Sequence, residues 1–172
     1  RDQSNYLLNV LRLREGDGVL VFDGQNGEWR GRLGLAGKKS AELVDLRPSR
    51  PQPPAPDLLY LFAPLKHARL DYMMQKAVEM GVGRIRPVLT QHTQASRVNT
   101  ERMRANVIEA AEQCGVLHVP SVEDEEKLDR ALGRFERDEP LRRLIFCDEG
   151  EETTNPLGTL TALPRGPLAM LI

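Results

Sequence analysis

The chain of 172 residues carries 24 Lys and Arg against 25 Asp and Glu, and 40% of it is hydrophobic, as in an ordinary globular protein. No apolar stretch approaches the ~20 residues of a membrane-spanning helix, and no basic-then-apolar leader opens the chain. Cys114 and Cys147 lack metal-type or CxxC spacing, so we expect a cytoplasmic chain with both as reduced core thiols. Because the chain begins at Arg1 and stops inside an apolar run at Ile172, we expect both ends of a longer protein to be missing.

Charge is unevenly distributed along the chain. Residues 1–104 carry 17 Lys and Arg against 11 Asp and Glu, whereas residues 105–172 carry 7 against 14. A basic first part permits binding to a polyanion, but solvated surface charge explains the same balance.

The first fifty residues have the pattern of a small β-domain. In "NYLLNVLRL", Leu7, Val10 and Leu11 follow helical spacing and predict a short helix. The segments "DGQNG" and "AGKKS" are typical of tight turns, in which Gly and Asn supply positive φ angles. A short helix packed with a twisted barrel of strands is predicted. The strands are expected at 19–22, 28–33 and 41–46.

The segment "RPSRPQPPAPD", residues 47–57, contains five prolines and favours a stiff extended linker. After it, buried strands alternate with amphipathic helices, which predicts an α/β domain with a largely parallel sheet. Pro87 lacks a backbone donor, so its strand is expected at an edge or a strand end. We expect Gly81 and Gly115 to end the two helices and Thr100 to cap the second. The strands are predicted at 58–65, 84–89, 142–148 and 167–172, and the helices at 68–80 and 100–114.

None of the common catalytic motifs occurs: GxGxxG, a P-loop, GxSxG and HExxH are all absent, and the three histidines are scattered. No metal site is therefore expected. Polar residues do line both predicted helices. They form either a solvated face or a face that pins loops or contacts a ligand, and spacing does not separate these alternatives. They are Tyr72, Gln75, Lys76 and Glu79 on the first helix and Asn106, Glu109, Glu112 and Gln113 on the second.

Two predicted strands end in conspicuously polar segments. "TQHTQASR" follows Leu89, and "CDEGEETTN" follows Phe146. Because ligands of open α/β sheets sit outside the carboxyl ends of the strands, these segments predict a ligand crevice without identifying the ligand.

Four collinear segments, "NYLLNVLRLREGDGVLVFDG", "KKS", "MMQKAVEMGVGRIRPVLT" and "IEAAEQCG…VP", resemble the bacterial 16S ribosomal RNA (uracil-N3) methyltransferases of the knotted SPOUT class. The resemblance runs from Asn5 to Pro120 and more loosely to Ile172. It implies a PUA-like RNA-binding barrel over 1–48, a linker over 49–57 and a SPOUT methyltransferase domain over 58–172. Most of the C-terminal knot is absent.

By the same resemblance, the full-length protein would be a homodimer that uses S-adenosylmethionine to methylate N3 of one uridine in 16S rRNA of the small ribosomal subunit, with no metal or membrane. The chain by itself is expected to be inactive. A non-catalytic RNA-binding protein on the same barrel and sheet, or an unrelated nucleotide-binding α/β enzyme, is the alternative.

The resemblance also implies roles for individual residues. Gln91 and His92 replace a Glu-Arg pair of many members, and Gly115 to His118 replaces Gly-Arg-x-Arg, so two arginines are missing. His92 is either a base or an ordinary surface histidine, and no catalytic base is assigned. The implied cofactor residues are Cys147, Asp148, Glu149 and Gly150. Implied RNA contacts are Arg12, Lys38, Lys39, Lys66, Lys76 and Arg97. Implied cleft-supporting residues are Gln75, Glu79, Thr90, Gln91, Glu109, Glu112 and Gln113.

Overall fold

The computed structural model describes residues 2–37, 40–93, 98–148, 150 and 155–172. The chain divides into two compact units, Arg1–Pro54 and Ala55–Ile172.

The first unit is built on a three-stranded antiparallel sheet of order β1-β2-β3. Its strands are longer than the turn pattern predicts, because β3 continues through Pro48 to pair Arg50 with Glu28. A proline is tolerated there because β3 is an edge strand. The elements are α1 (Asp2–Asn5), a π-helix (Tyr6–Val10), β1 (Gly18–Phe22), β2 (Glu28–Gly37) and β3 (Ser40–Arg50).

The predicted N-terminal helix is present only as one α-helical turn followed by the π-helix. The π-helix buries none of its residues, so no packed apolar face extends it. The turn that follows it is held by a hydrogen bond from the Leu13 N–H to the Leu7 carbonyl at 3.0 Å. Arg12 lies in this turn and has a φ of 55°, in the left-handed region that glycine usually occupies at a helix end.

The second unit contains a sheet of order β6-β5-β4-β9-β8, with β7 also paired to β5, and every pairing in it is parallel. This confirms the predicted α/β class. The elements are β4 (Leu58–Phe62), α2 (His67–Glu79), β5 (Arg84–Leu89), α3 (Thr100–Cys114), β6 (Ser121–Val122), β7 (Glu126–Lys127), α4 (Leu128–Asp138), β8 (Arg143–Phe146), α5 (Pro156–Ala162) and β9 (Leu168–Leu171).

The expectation that Pro87 places β5 at an edge is wrong, because β5 lies between β4 and the short strands β6 and β7. The side facing the short strands is paired only at Arg84 and Ile85 and again at Val88 and Leu89. Pro87 falls in the gap between these pairings, where the missing N–H interrupts no ladder.

Both helix ends follow the glycine pattern, since Gly81 and Gly115 have φ angles of 80° and 62°. The N-cap of α3 is Asn99 rather than Thr100. The Asn99 side chain accepts a hydrogen bond from the Arg102 N–H at 2.9 Å, and its carboxamide suits this position at least as well as a threonine hydroxyl.

The core of the second unit lies on both faces of the sheet. On one face, Leu59, Leu61 and Leu171 pack with Ala131 and Phe135 of α4, a helix that the sequence pattern does not announce. The helices α2 and α3 pack against each other and bury a second set of side chains, and α2 contacts β4 through Met73 and Tyr60. The buried side chains of this set are Met74, Ala77, Val78, Met103, Val107, Ala110 and Ala111.

Both cysteines are exposed, which contradicts the expectation of core thiols. Cys114 is in register with the buried face of α3 but occupies its last position, and the buried residue beyond the turn is Leu117. Cys147 follows β8, an edge strand that is half-buried rather than buried on both faces.

Candidate functional site

The carboxyl ends of three neighbouring strands are joined by hydrogen bonds at one edge of the sheet. The Ala63 N–H donates to the Ile172 carbonyl at 3.3 Å, and the Cys147 N–H donates to the Leu171 carbonyl at 2.9 Å. The segments after β4, β8 and β9 therefore lie side by side. This is the position at which parallel α/β sheets bind ligands.

The loop after β8 contains the residues predicted to hold a cofactor. Cys147, Asp148 and Gly150 are exposed, and Glu149 lies outside the described residues. The Gly150 N–H donates to Asp148 Oδ1 at 2.8 Å, which fixes a short turn. The second oxygen of Asp148 accepts no hydrogen bond from the described residues, so it remains available to a hydroxyl or ammonium group.

Tyr60 lies on β4 and donates its hydroxyl to Met73 Sδ at 3.3 Å. Burial raises the pKa of this hydroxyl, and its electrostatic interaction with Cys147 acts in the same direction. Tyr60 is therefore a neutral, half-buried group rather than a proton acceptor.

The segment after β5 forms a closed turn. The Thr90 N–H donates to Thr93 Oγ1 at 2.7 Å, and the two threonine hydroxyls lie 2.9 Å apart. Gln91 and His92 project from this turn and are exposed. The next predicted contact, Arg97, lies outside the described residues. Because β5 is parallel to β4, this turn lies at the same edge as Ala63.

The two polar helix faces meet in a groove of about 410 Å³ between α2 and α3. Gln75, Glu109 and Gln113, three of the predicted cleft-supporting residues, line it together. Glu79 and Glu112 are not among its lining residues, and Glu79 instead accepts a hydrogen bond from Lys76. The remaining lining residues are Asp71, Tyr72, Asn106 and Ala110.

Asp71 joins the two walls of this groove. It accepts a hydrogen bond from Asn106 Nδ2 at 2.5 Å and one from Arg102 Nε at 3.1 Å. Sequence reasoning missed Asp71, since its partners lie 31 and 35 residues away and local spacing gives no sign of them. The carboxylate fixes the register of α2 against α3 and so the positions of the groove side chains.

The predicted RNA-contacting residues fall into three groups. Lys76 donates to Glu79 at 2.6 Å, which raises the pKa of the lysine, and its ammonium lies 5.4 Å from the centre of the Tyr72 ring. Arg12 and Lys66 are exposed. Lys38, Lys39 and Arg97 lie outside the described residues.

A charge cluster beside β5 was also missed by sequence reasoning. Arg86, with a side chain only 3% exposed, donates to Glu123 Oε2 at 2.8 Å. Arg84 and Arg134 contact the same carboxylate. Burial by itself raises the pKa of Glu123, but the hydrogen bonds and charges of Arg86 and Arg84 outweigh it and hold the pKa below its usual range. Among the described residues, the buried atoms Arg86 Nη1 and Arg134 Nε of this cluster have no hydrogen-bond partner.

Across the described ranges, no group of three or more His, Cys, Asp or Glu side chains is arranged to hold a metal ion. Within the same ranges, no helix is long and apolar enough to span a bilayer.

A parallel α/β unit with polar loops at its carboxyl edge, preceded by a small antiparallel β unit, defines a ligand-binding α/β protein with an accessory domain. The sequence profile of the RNA methyltransferase domain matches residues 52–172, and that of the RNA methyltransferase PUA domain matches residues 1–46. The chain belongs to this family of RNA methyltransferases.

Individual relatives agree with this membership. The chain is 34% identical over 122 residues to a ribosomal RNA small subunit methyltransferase E of Synechocystis sp., and 33% identical over 120 residues to that of Rickettsia conorii. These matches cover 70% and 69% of the chain but only 40% and 49% of the two relatives.

The fold agrees with a solved structure over nearly the whole chain. The ribosomal RNA small subunit methyltransferase E from Neisseria gonorrhoeae, solved bound to S-adenosyl methionine, matches with a TM-score of 0.78 at 24% identity. The match covers 99% of this chain and 70% of that one. At this identity, the likeness establishes the fold.

Proposed function

We propose that this chain belongs to an enzyme that methylates N3 of a specific uridine in 16S rRNA of the small ribosomal subunit, with S-adenosylmethionine as the donor. The observation that carries the proposal is the hydrogen-bonded carboxyl edge of β4, β9 and β8, in a domain matched over residues 52–172 to RNA methyltransferases. Relatives with the same domain are named for methylation of small-subunit rRNA.

The donor-binding residues in this proposal are Cys147, Asp148, Glu149 and Gly150. Asp148 Oδ2, which accepts no hydrogen bond from the described residues, fits the hydroxyl or amino groups of a nucleoside derivative. When bound, S-adenosylmethionine supplies a methyl group activated by a sulfonium. In this proposal the loop after β8 would hold the donor, and uracil N3, after loss of its proton, would take the methyl group in exchange for the carbon–sulfur bond.

The groove between α2 and α3 would support the substrate side of the reaction. Gln75 and Gln113 carry both donors and acceptors without net charge, and Asp71 holds their helices in register. Glu79, Glu112, Thr90 and Gln91 stay proposed as supporting residues around this cleft. A proton acceptor for uracil N3–H is required, since the neutral imide is a poor nucleophile.

RNA binding in this proposal is mainly electrostatic. Arg12 and Lys66 are exposed cations on separate units, and phosphate contacts of this type position an RNA without reading its sequence. Lys38, Lys39, Lys76 and Arg97 complete the proposed set. A homodimer, as the family resemblance implies, belongs to the same proposal.

The test is methyl transfer from radiolabelled S-adenosylmethionine to small ribosomal subunits that lack the modification, with the product nucleoside identified by mass spectrometry. Full-length parent protein should yield 3-methyluridine, and the double variant Gln75→Ala/Gln113→Ala should yield at least tenfold less. The exposed Arg130→Gln variant on α4 is the control and should match the parent.

The alternatives give different results. RNA binding without methyl transfer by the full-length parent would identify a non-catalytic RNA-binding protein. Calorimetric heat on titration with ATP, and none with S-adenosylmethionine, would indicate an unrelated nucleotide-binding enzyme.

A further inference from the structure

The first unit carries two arginines directly opposite each other on neighbouring strands. Arg30 of β2 is the register partner of Arg47 of β3. Side chains of directly paired residues in an antiparallel sheet stand on the same face, about 5 Å apart at their Cβ atoms. Like charges in this arrangement repel and destabilise the sheet. This repulsion therefore lowers the stability of the folded sheet, and side-chain packing does not explain why two arginines stand here.

Neither arginine forms an ion pair with an acidic residue among those that the structure describes. Across the same part of the chain, this sheet carries four arginines and three carboxylates, Glu28, Glu42 and Asp45, of which two form ion pairs with arginine. Asp45 is paired with Arg32, whose Nε donates to it at 3.1 Å, and Glu28 is paired with Arg50, whose Nη2 donates to it at 2.7 Å. Arg30 and Arg47 have no carboxylate of a described residue within ion-pair distance, and both are exposed.

The two carboxylates are already committed to other partners. The pKa of Glu28 is lowered mainly by its hydrogen bond from Arg50, and the pKa of Asp45 mainly by that from Arg32. The charges of Arg30 and Arg47 contribute only weaker effects to these groups. With Glu42 included, the four arginines and three carboxylates of the sheet carry a net charge of +1, and Arg30 and Arg47 are the two arginines outside the ion pairs.

The surroundings of the pair are open. Leu20 of β1 is the other register partner of Arg30 and is 50% exposed, so it lies on the same face and leaves the arginines accessible. The long side chains can converge on one anion from adjacent strands. A guanidinium presents a planar fork of donors that matches the oxygens of a phosphate.

We propose that Arg30 and Arg47 form a phosphate-binding site for the backbone of single-stranded RNA on the sheet of the first unit. This site rests on the proposed function and adds to it an RNA contact that neither the motifs nor the family resemblance identified. A bound phosphodiester relieves the repulsion between the two guanidinium groups. The stability that this repulsion removes from the free protein is therefore regained when RNA binds. Contacts to phosphate would fix the position of the RNA rather than select its sequence.

The test is binding of a fluorescein-labelled single-stranded RNA 20-mer to the chain, followed by fluorescence anisotropy over a range of salt concentrations. Each phosphate contact to single-stranded RNA contributes about 0.7 to the slope of log K against log salt. Because both arginines hold one phosphate, the double variant Arg30→Gln/Arg47→Gln should lose a slope of about 0.7 and bind on the order of tenfold more weakly at low salt. The variant Arg30→Lys/Arg47→Lys keeps both charges and should retain most of the slope.

The matched control is Lys127→Gln/Arg130→Gln, which removes the same charge from exposed positions of the second unit. It should keep the parent's slope. The thermal midpoint of Arg30→Gln/Arg47→Gln should be equal to or above the parent's, because repulsion across the sheet is removed. A loss of binding accompanied by unfolding would overturn the site as proposed.

The outcomes separate this proposal from the proposed function. Unchanged affinity and slope in Arg30→Gln/Arg47→Gln, with a parent that binds RNA, would overturn the site alone. Binding by the parent with the predicted loss, but no methyl transfer by the full-length protein, would overturn the proposed function and keep the site. Failure of the unsubstituted chain to bind RNA would overturn the site, while the methyl-transfer assay of the full-length protein decides the proposed function separately.

Discussion

Arg86 and Glu123 form a hydrogen-bonded ion pair between the middle of β5 and the segment after β6, with Arg86 Nε 2.8 Å from Glu123 Oε2. The arginine side chain is 3% exposed, so removal of its partner leaves a buried charge with weaker compensation from Glu126, 3.8 Å away. Removal of one partner of a buried ion pair destabilises the folded state by more than the intact pair stabilises it, because the remaining charge stays desolvated.

The substitution Glu123→Gln should therefore lower the free energy of unfolding by about 3 kcal/mol. Chemical denaturation at neutral pH measures this. The control is Asp124→Asn, since the Asp124 side chain is 84% exposed and contacts only one exposed arginine, Arg104. It should change stability by less than about 0.5 kcal/mol. Equal effects of the two substitutions would contradict the structural role of the cluster.

The same cluster predicts an acid dependence of stability. The pKa of Glu123 and that of Glu139 are both lowered, since burial opposes ionisation but the hydrogen bonds and charges of neighbouring arginines outweigh it. A lowered pKa in the folded state stabilises the protein above the unfolded value of about 4.5 and loses this effect as pH falls further. Urea midpoints measured from pH 7 to pH 3 should fall below about pH 4.5. Glu123→Gln should show a shallower fall than Asp124→Asn.

Two glycines of the second unit should respond oppositely to alanine. A Cβ at Gly83 would lie 1.8 Å from the Pro56 carbonyl oxygen, so the backbone must move. Gly133, inside α4, has nothing within 4 Å of that position. We expect Gly83→Ala to destabilise by more than about 2 kcal/mol and Gly133→Ala to stabilise by about 1 kcal/mol. Thermal unfolding of the two variants measures both; a tolerated Gly83→Ala would show that this approach of strand and loop is looser than described.

Replacement of Arg12 by glycine should change stability and RNA affinity in opposite directions. Its φ of 55° is strained for any residue with a Cβ, so Arg12→Gly should stabilise by about 1 kcal/mol. The same change removes a proposed phosphate contact and should weaken RNA binding. Arg14→Gly is the matched control, because Arg14 is not in the left-handed region and gains no relief of strain. If both variants lose stability equally in thermal unfolding, the backbone at Arg12 is not strained.

Much of the secondary structure could be predicted from local sequence, but only part of the site. The strand Arg84–Leu89 and the helix Thr100–Cys114 match their predicted bounds. In each, apolar residues keep the spacing of the element along its whole length, and a polar residue or a glycine follows its last position. The helix α4 was missed because its buried face consists of few apolar residues among many charges. The polar faces of α2 and α3 were recognised, but their meeting in one groove depends on helix packing.

The sequence by itself determined elements such as β5 and α3, because helical and strand periods and glycine ends act over a few residues, and it predicts the boundary between the two units at its proline-rich segment. Tertiary structure alone decided which distant side chains became neighbours. Because β9 lies between β4 and β8, Cys147 is hydrogen-bonded to Leu171, next to Ile172. In the first unit, the register of β2 and β3 places Arg30 opposite Arg47. These relationships come from long-range backbone pairing and burial, which local propensity does not encode.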